Sequence, residues 1–297
     1  MRNALRLPLA LFLLMVALPS AIHAQPAAVS LTPAVVVAGS PELIRVTAPA
    51  DARLEGEWLG HALQFFPGRD GALWYALAGV DVEAEPGPSK LKITVRHRND
   101  AEILDTGVAI HPAHYRTAAI TVEPKFVEPG PEEQKLIAAD RAVKDKVFAA
   151  EEHPDHPAQR LWSGSFLAPV KAAPTDSFGT RRTFNGKLAS IHKGTDFRAS
   201  TGTPVHAGNS GTVVLAQKLY YEGNCVMIDH GLGLMSISMH LSRIDVKPGE
   251  AVTRGRQVGL SGATGRVTGP HLHWAIRWQG AMLDPAKLLR MNLDRLR

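Results

Sequence analysis

Gly269-Pro270-His271-Leu272-His273-Trp274 places two histidines one residue apart, directly behind a turn-forming Gly-Pro pair. In extended backbone successive side chains alternate, so His271 and His273 fall on one face and Leu272, Trp274 and Ile276 on the other. The stretch reads as a strand with a polar and an apolar side, and the two imidazoles share the polar one. Neutral imidazole is a common zinc ligand and a carrier of protons. A His-x-His pair by itself is more often plain surface histidine. A site therefore requires the remaining chain to supply a third ligand and a base.

His192-Lys193-Gly194-Thr195-Asp196 offers the ligands. In extended backbone positions 192, 194 and 196 share a face, and Gly194 removes the side chain that would separate the imidazole from the carboxylate. With His273 the set is two nitrogens and one oxygen, the donor count of a catalytic zinc site that keeps a fourth position open. A closed structural site would use a fourth protein ligand, usually with cysteine among the four. The chain's one cysteine, Cys225, lacks the paired spacing. It lies in the strand-like run Asn224 to Asp229 and reads as a buried, inert thiol. In Leu234 to His240, alternation sets Met235, Ile237 and Met239 against Ser236, Ser238 and His240, which puts His240 on the polar face of a half-buried sheet. His240 and His271 are the candidates for proton transfer and charge stabilisation.

Around these motifs the chain reads as mostly β. Residues 25–115 are broken about every ten residues by turn signals such as Ala38-Gly39-Ser40-Pro41 and Pro67-Gly68-Arg69-Asp70-Gly71, a spacing that predicts a small antiparallel β-sandwich. Its His61, His97, His111 and His114 are scattered and carry no catalytic signature. Residues 116–159 read as a helical linker. Pro131 followed by Glu132 and Glu133 opens a connecting helix over about 129–150, and Glu151 to Pro157 is an exposed hinge rather than a metal site, despite His153, Asp155 and His156. Residues 160–297 form a second β-rich unit, with strands expected at 212–219, 224–229, 234–240, 257–260 and 271–278, and a short helix opened by Asp284-Pro285. His206 and His230 read as structural. Tyr220 and Tyr221 end a strand, either lining a groove or packing on its rim.

Arg2 and Arg6 precede the apolar run Leu7 to Leu18, and Pro19-Ser20 breaks it before Ala21-Ile22-His23-Ala24, the order of a secretory signal peptide over residues 1–24. The expected location is therefore outside the cytoplasm, periplasmic or secreted. The run is too short for a bilayer span, which takes about 20 apolar residues, and no later run is longer, so no transmembrane segment is predicted. Losing the leader's two arginines lowers the net charge from +5 to +3. Without a concentrated Lys/Arg stripe this mild basicity argues against nucleic acid as a partner and favours an anionic cell-envelope polymer. At 45% hydrophobic and 21% charged residues the chain has enough apolar content for a sizeable core, which excludes general disorder.

Taken together and in this order, His192-Lys193-Gly194-Thr195-Asp196, Met239-His240-Leu241 and Gly269-Pro270-His271-Leu272-His273 resemble the lysostaphin/LytM-type zinc metallopeptidases, which cut peptide cross-links of bacterial peptidoglycan. Phe178-Gly179-Thr180-Arg181-Arg182, Ile228-Asp229-His230-Gly231, Val246-Lys247-Pro248-Gly249 and Gly262 to Pro270 extend the resemblance over about residues 163–290. It implies an antiparallel β-sheet peptidase domain of the LytM, duplicated-hybrid-motif type over 160–297. His192, Asp196 and His273 would bind Zn2+, and His240 and His271 would assist zinc-activated water in hydrolysing an amide of a stem peptide. It further implies an immunoglobulin-like amino-terminal module, and a monomer is the expected state. Two rivals stand beside this reading: a non-catalytic wall-binding activator of a separate amidase, and a secreted zinc protease acting on proteins. Relatives of the first kind have lost ligands or catalytic histidines, whereas all five positions are filled here.

Overall fold

The computed structural model describes residues 27–152 and 159–296. The signal-peptide reading of residues 1–24 and the hinge residues His153, Asp155 and His156 lie outside the described residues. Among the described residues no helix is long and apolar enough to cross a membrane.

The fold is mostly β. The amino-terminal unit consists of two sheets. One runs in the order Ala28–Thr32, Pro41–Thr47, Leu73–Gly79, Phe66–Pro67; the other in the order Val36–Val37, Asp100–His111, Gly87–His97, Arg53–Trp58, His61–Leu63. Period-two patterning explains the second sheet. Leu91, Ile93 and Val95 are buried while the intervening Lys92 and the following Arg96 are exposed. They join Ile44, Val46, Trp58 and Ala76 in one core, where full burial of a large apolar side chain is worth about 1.5–3 kcal/mol.

The carboxy-terminal unit is built on a sheet in the order Pro174–Asp176, Thr195–Phe197, Leu272–Trp278, Leu234–Leu241, Gly223–Asp229, Gly211–Leu219, Ala251–Val252, with Ala281–Leu283 returning onto Leu272–Trp278. Every residue of Leu272–Trp278 is buried. The expected half-buried sheet is thus covered on both faces. Trp274, Ile276 and Trp278 enter the main core with Trp162 and Phe166. Ala275 joins Leu215, Met227, Met235 and Ile237 in a second cluster closed by Val147 and Phe148. Those two belong to the helix Pro131–Glu152, which extends two residues into the predicted hinge. Arg277 stacks its guanidinium 4.1 Å from the Phe148 ring centre, capping that contact with a cation.

The segment read as a helical linker also contains a strand. Thr117–Ile120 pairs in parallel with Arg181–Phe184, which pairs antiparallel with Leu188–Ile191. Four residues with two alanines carry little β signal, so the pairing partner rather than local propensity creates this strand. The two units also pack directly. Met282 donates its N–H to Asp81 Oδ2 at 2.7 Å and Asp284 its N–H to the Gly39 carbonyl at 2.7 Å. Gly79 meets Leu283 so closely that a Cβ would come within 2.3 Å of the leucine side chain. The short α-helix Pro285–Arg290 is capped by Asp284, whose side chain accepts from the Ala286 and Lys287 amides, and it buries Leu288 fully.

Candidate metal centre

Register brings the separated motifs together. Asp196 lies directly opposite His273 on the neighbouring strand, and Met239 lies opposite His273 on the other side. Directly paired residues project to the same face, so Asp196 and His273 share one. His192 follows the end of strand Leu188–Ile191 and reaches the same point from a different sheet. Between them Gly194 runs so close to the ligand that a Cβ there would lie 2.4 Å from His273 Nε2 and 2.7 Å from the Trp274 carbonyl oxygen. Only glycine passes.

His192 Nε2, His273 Nδ1 and Asp196 Oδ1 form a triangle with edges of 2.9 Å between the two nitrogens, 3.1 Å from His192 to the carboxylate and 2.9 Å from His273 to the carboxylate. All three residues are buried. His192 donates its Nδ1–H to the Ser177 carbonyl at 3.0 Å, because a carbonyl can only accept, so its neutral ring turns a bare lone pair toward the other two atoms. The carboxylate likewise has only lone pairs. At most one proton is then available for the three edges, leaving an arrangement of acceptors that a cation satisfies. The edges are close to the roughly 3.3 Å expected between donors of a tetrahedral zinc site with bonds of about 2.0–2.1 Å. The donor set therefore fits a divalent, zinc-type ion, two nitrogens and one oxygen with a side left open.

The other carboxylate oxygen is held separately. Arg182 Nη2 contacts Asp196 Oδ2 at 2.7 Å and Asp176 Oδ2 at 2.5 Å, so the guanidinium braces the ligand against a second acid. Burial alone would raise the Asp196 carboxyl. Its contacts with His192 and His273 outweigh burial and hold the group below the ordinary carboxylate range. Burial pushes the His273 imidazole down, so the ring is kept neutral, the form that binds metal.

His240 and His271 border this triangle. Their ring centres are 5.0 Å apart, and His240 is 5.9 Å from His273. His271 Nε2 stands 3.7 Å from Asp196 Oδ1. Strict alternation would send His240 to the face of Ser236 and Ser238, away from His273. Instead His240 has φ +64°, a left-handed conformation that costs a non-glycine residue on the order of 1 kcal/mol, and this kink turns its ring to the metal side. His240 thus reaches the cleft because the alternation breaks, and not by lying on the polar face expected from the sequence. Its backbone N–H is held by the Glu222 carbonyl and its Nδ1–H by the Thr264 carbonyl, both at 2.8 Å. His271 donates its Nδ1–H to the Gly269 carbonyl at 2.8 Å. Each ring thus keeps Nε2 as its free lone pair. Burial, followed by the neighbouring His273 and His271, pushes His240 down to about 3, so it stands neutral at physiological pH.

His192, His240 and His273 open onto a cavity of about 300 Å³ whose wall also carries Arg182, Phe184, Tyr221 and Arg266. Tyr221 lines the cavity, whereas Tyr220 donates its hydroxyl to the Lys125 carbonyl and packs on Phe126. Cys225 is fully buried and burial pushes its thiol up, as befits an inert side chain. His206 is only partly buried, with its Nδ1 3.4 Å from the Pro169 carbonyl. Among the described residues, the sequence pointed to no role for Arg182 or Arg266. Both lie in quoted motifs, but their use depends on cross-strand neighbours that spacing does not reveal.

Residues 190–285 match Peptidase family M23. Over 101 residues the chain is 46% identical to the peptidoglycan DD-endopeptidase ShyA of Vibrio cholerae, a match covering 34% of this chain and 24% of ShyA. It is 41% identical over 96 residues to ShyB of the same organism, covering 32% of this chain and 22% of ShyB. The matched region thus spans about a quarter of these curated relatives. A solved Pseudomonas aeruginosa structure assigned to peptidase M23 is 28% identical with a TM-score of 0.61, over 85% of this chain and 94% of that one. That likeness extends through the amino-terminal unit as well as the metal-site sheet. The chain therefore carries a domain of peptidase family M23, a family of metallopeptidases.

Proposed function

We propose that this protein is a zinc-dependent endopeptidase that hydrolyses peptide cross-links of bacterial peptidoglycan. The observation that carries the reading is the triangle of His192, Asp196 and His273 with His240 and His271 beside it, at a cavity lined by His192, His240 and His273. The M23 match and the endopeptidase names of ShyA and ShyB supply the substrate class. Zinc held by His192 Nε2, Asp196 Oδ1 and His273 Nδ1 would supply Lewis acidity, polarising an amide carbonyl and lowering the pKa of water to about 7.

The chain's own residues do the rest. Ser177 and Arg182 fix the orientations of His192 and Asp196. Neutral His240, anchored through Nδ1, presents Nε2 to accept a hydrogen bond from the attacking water. His271, anchored the same way on Gly269, presents a second Nε2. Between them the two rings take up the proton released on attack and, once protonated, donate to the oxyanion and the departing amine. Phe184 and Tyr221 supply the aromatic part of the cavity wall.

Residues 25–115 are read as an immunoglobulin-like accessory module, 116–159 as its linker and 160–297 as the peptidase domain. The strand Thr117–Ile120 ties the linker to the peptidase side. An exported monomer, periplasmic or secreted, acting on stem peptides is the corresponding setting. Purified sacculi and a model protein, incubated side by side with zinc-loaded protein, test the reading. New muropeptides carrying free amine and carboxyl ends are expected from the sacculi alone. Intact sacculi with a digested model protein would select the secreted-protease rival, and no cleavage of either would select the non-catalytic one.

A further inference from the structure

Three basic side chains line the cavity, and two of them are occupied. Arg182 spends its guanidinium on Asp176 and Asp196, and Lys193 pairs with Glu83 at 2.6 Å. The acid on the same wall, Glu222, is paired with Lys144 from the helix Pro131–Glu152. Arg266 differs. Among the described residues no carboxylate comes within ion-pair distance of it, although its guanidinium is half-buried and burial pushes its pKa down. Its guanidinium carbon lies 4.5 Å from the Phe184 ring centre and 4.7 Å from that of Tyr221. Two aromatic faces therefore hold it, and its backbone N–H is fixed to the Tyr221 carbonyl at 2.8 Å. Two residues earlier in the same loop, the Thr264 carbonyl orients His240.

A guanidinium that is partly dehydrated, immobilised and without a direct ion pair, with Glu222 acting on it only from a distance, is prepared for a planar anion, which it binds through two parallel N–H···O bonds. Among the described residues its side-chain N–H groups make no hydrogen bond or ion pair, so these donors are available to a ligand. We infer that Arg266 is the substrate-binding residue for a carboxylate borne by the peptide next to the scissile amide, making the site selective for an acidic over an amidated substrate. The inference rests on the peptidase reading and adds a specificity determinant to it. A stem peptide containing diaminopimelate carries such a carboxylate.

The test uses two cross-linked stem-peptide dimers that differ only in having the diaminopimelate carboxylates free or amidated. Zinc-loaded wild type is expected to favour the free acid by about 10-fold or more in kcat/KM, mostly through KM. Arg266→Gln should bring the two substrates together, and Arg266→Lys should retain part of the preference. The ratio is taken within each variant, so a general loss from weakened Phe184–Tyr221 packing cancels. A wild type indifferent to amidation, or an Arg266→Gln that slows both substrates equally, would overturn the inference. Calorimetric binding of the two dimers separates this from the peptidase reading. If neither dimer is cleaved, tighter binding of the acid form by wild type than by Arg266→Gln upholds the subsite while the peptidase reading fails, and equal binding overturns the subsite as well.

Discussion

The central sheet buries histidines on both faces, and the two environments are opposites. On the core side His230 is fully buried, donates Nδ1–H to the Ser210 carbonyl at 2.8 Å and accepts from Ser236 Oγ at 2.8 Å. Its partners are neutral and every proton has a place, so the ring is a finished structural element. On the other face His192, His273 and Asp196 turn lone pairs toward one another with too few protons among them. Burial pushes His230 down to about 4 and lowers His273 too. Low basicity therefore does not separate a structural histidine from a ligand. The difference lies in what the second ring nitrogen faces.

That contrast can be broken at several points. The largest effect is expected on the metal face, where His192→Ala, Asp196→Ala or His273→Ala should lose bound zinc and all turnover together, read by metal analysis and muropeptide release on the same samples. His240→Ala removes a neighbour and not a ligand. It should keep stoichiometric zinc while kcat falls by roughly 10² or more. Arg182→Gln frees Asp196 Oδ2 without touching the triangle, and zinc affinity measured against a competing chelator should weaken by about 10- to 100-fold.

The smallest effect belongs to the core side. His230→Ala strands the Ser236 hydroxyl and the Ser210 carbonyl in the interior, costing about 1–3 kcal/mol in denaturant unfolding with zinc content unchanged. Its pH signature has a defined sign. The folded pKa is depressed from 6.5 to about 4, so the unfolded chain takes up this proton first and the stability His230 contributes is complete above 6.5. It declines as pH falls toward 4, by up to about 3 kcal/mol relative to a variant lacking the ring. A His230→Ala variant that lost zinc would erase the distinction between the faces.

Much of this was legible in the sequence. The ligand candidates could be named because three separated motifs each carried the right residue type, and the strand expected at 257–260 has those bounds. Turn spacing likewise pointed to two β-rich units. His240 exposes the limit of alternation: the rule assigned it to the face of Ser236 and Ser238, and a single left-handed residue reverses that. Thr117–Ile120 was hidden because its strand character comes from Arg181–Phe184, over sixty residues away. Arg182 and Arg266 are ordinary surface residues on paper. Their significance arises only when folding sets one between two carboxylates and the other between two aromatic rings.

Zinc back-titration of chelator-stripped protein against cross-linked muropeptides decides whether the His192–Asp196–His273 triangle is a catalytic zinc site. Hydrolysis should be absent in the stripped protein and should rise linearly to a plateau at one zinc per chain. Full turnover by the stripped protein would rule out metal-dependent hydrolysis at this site.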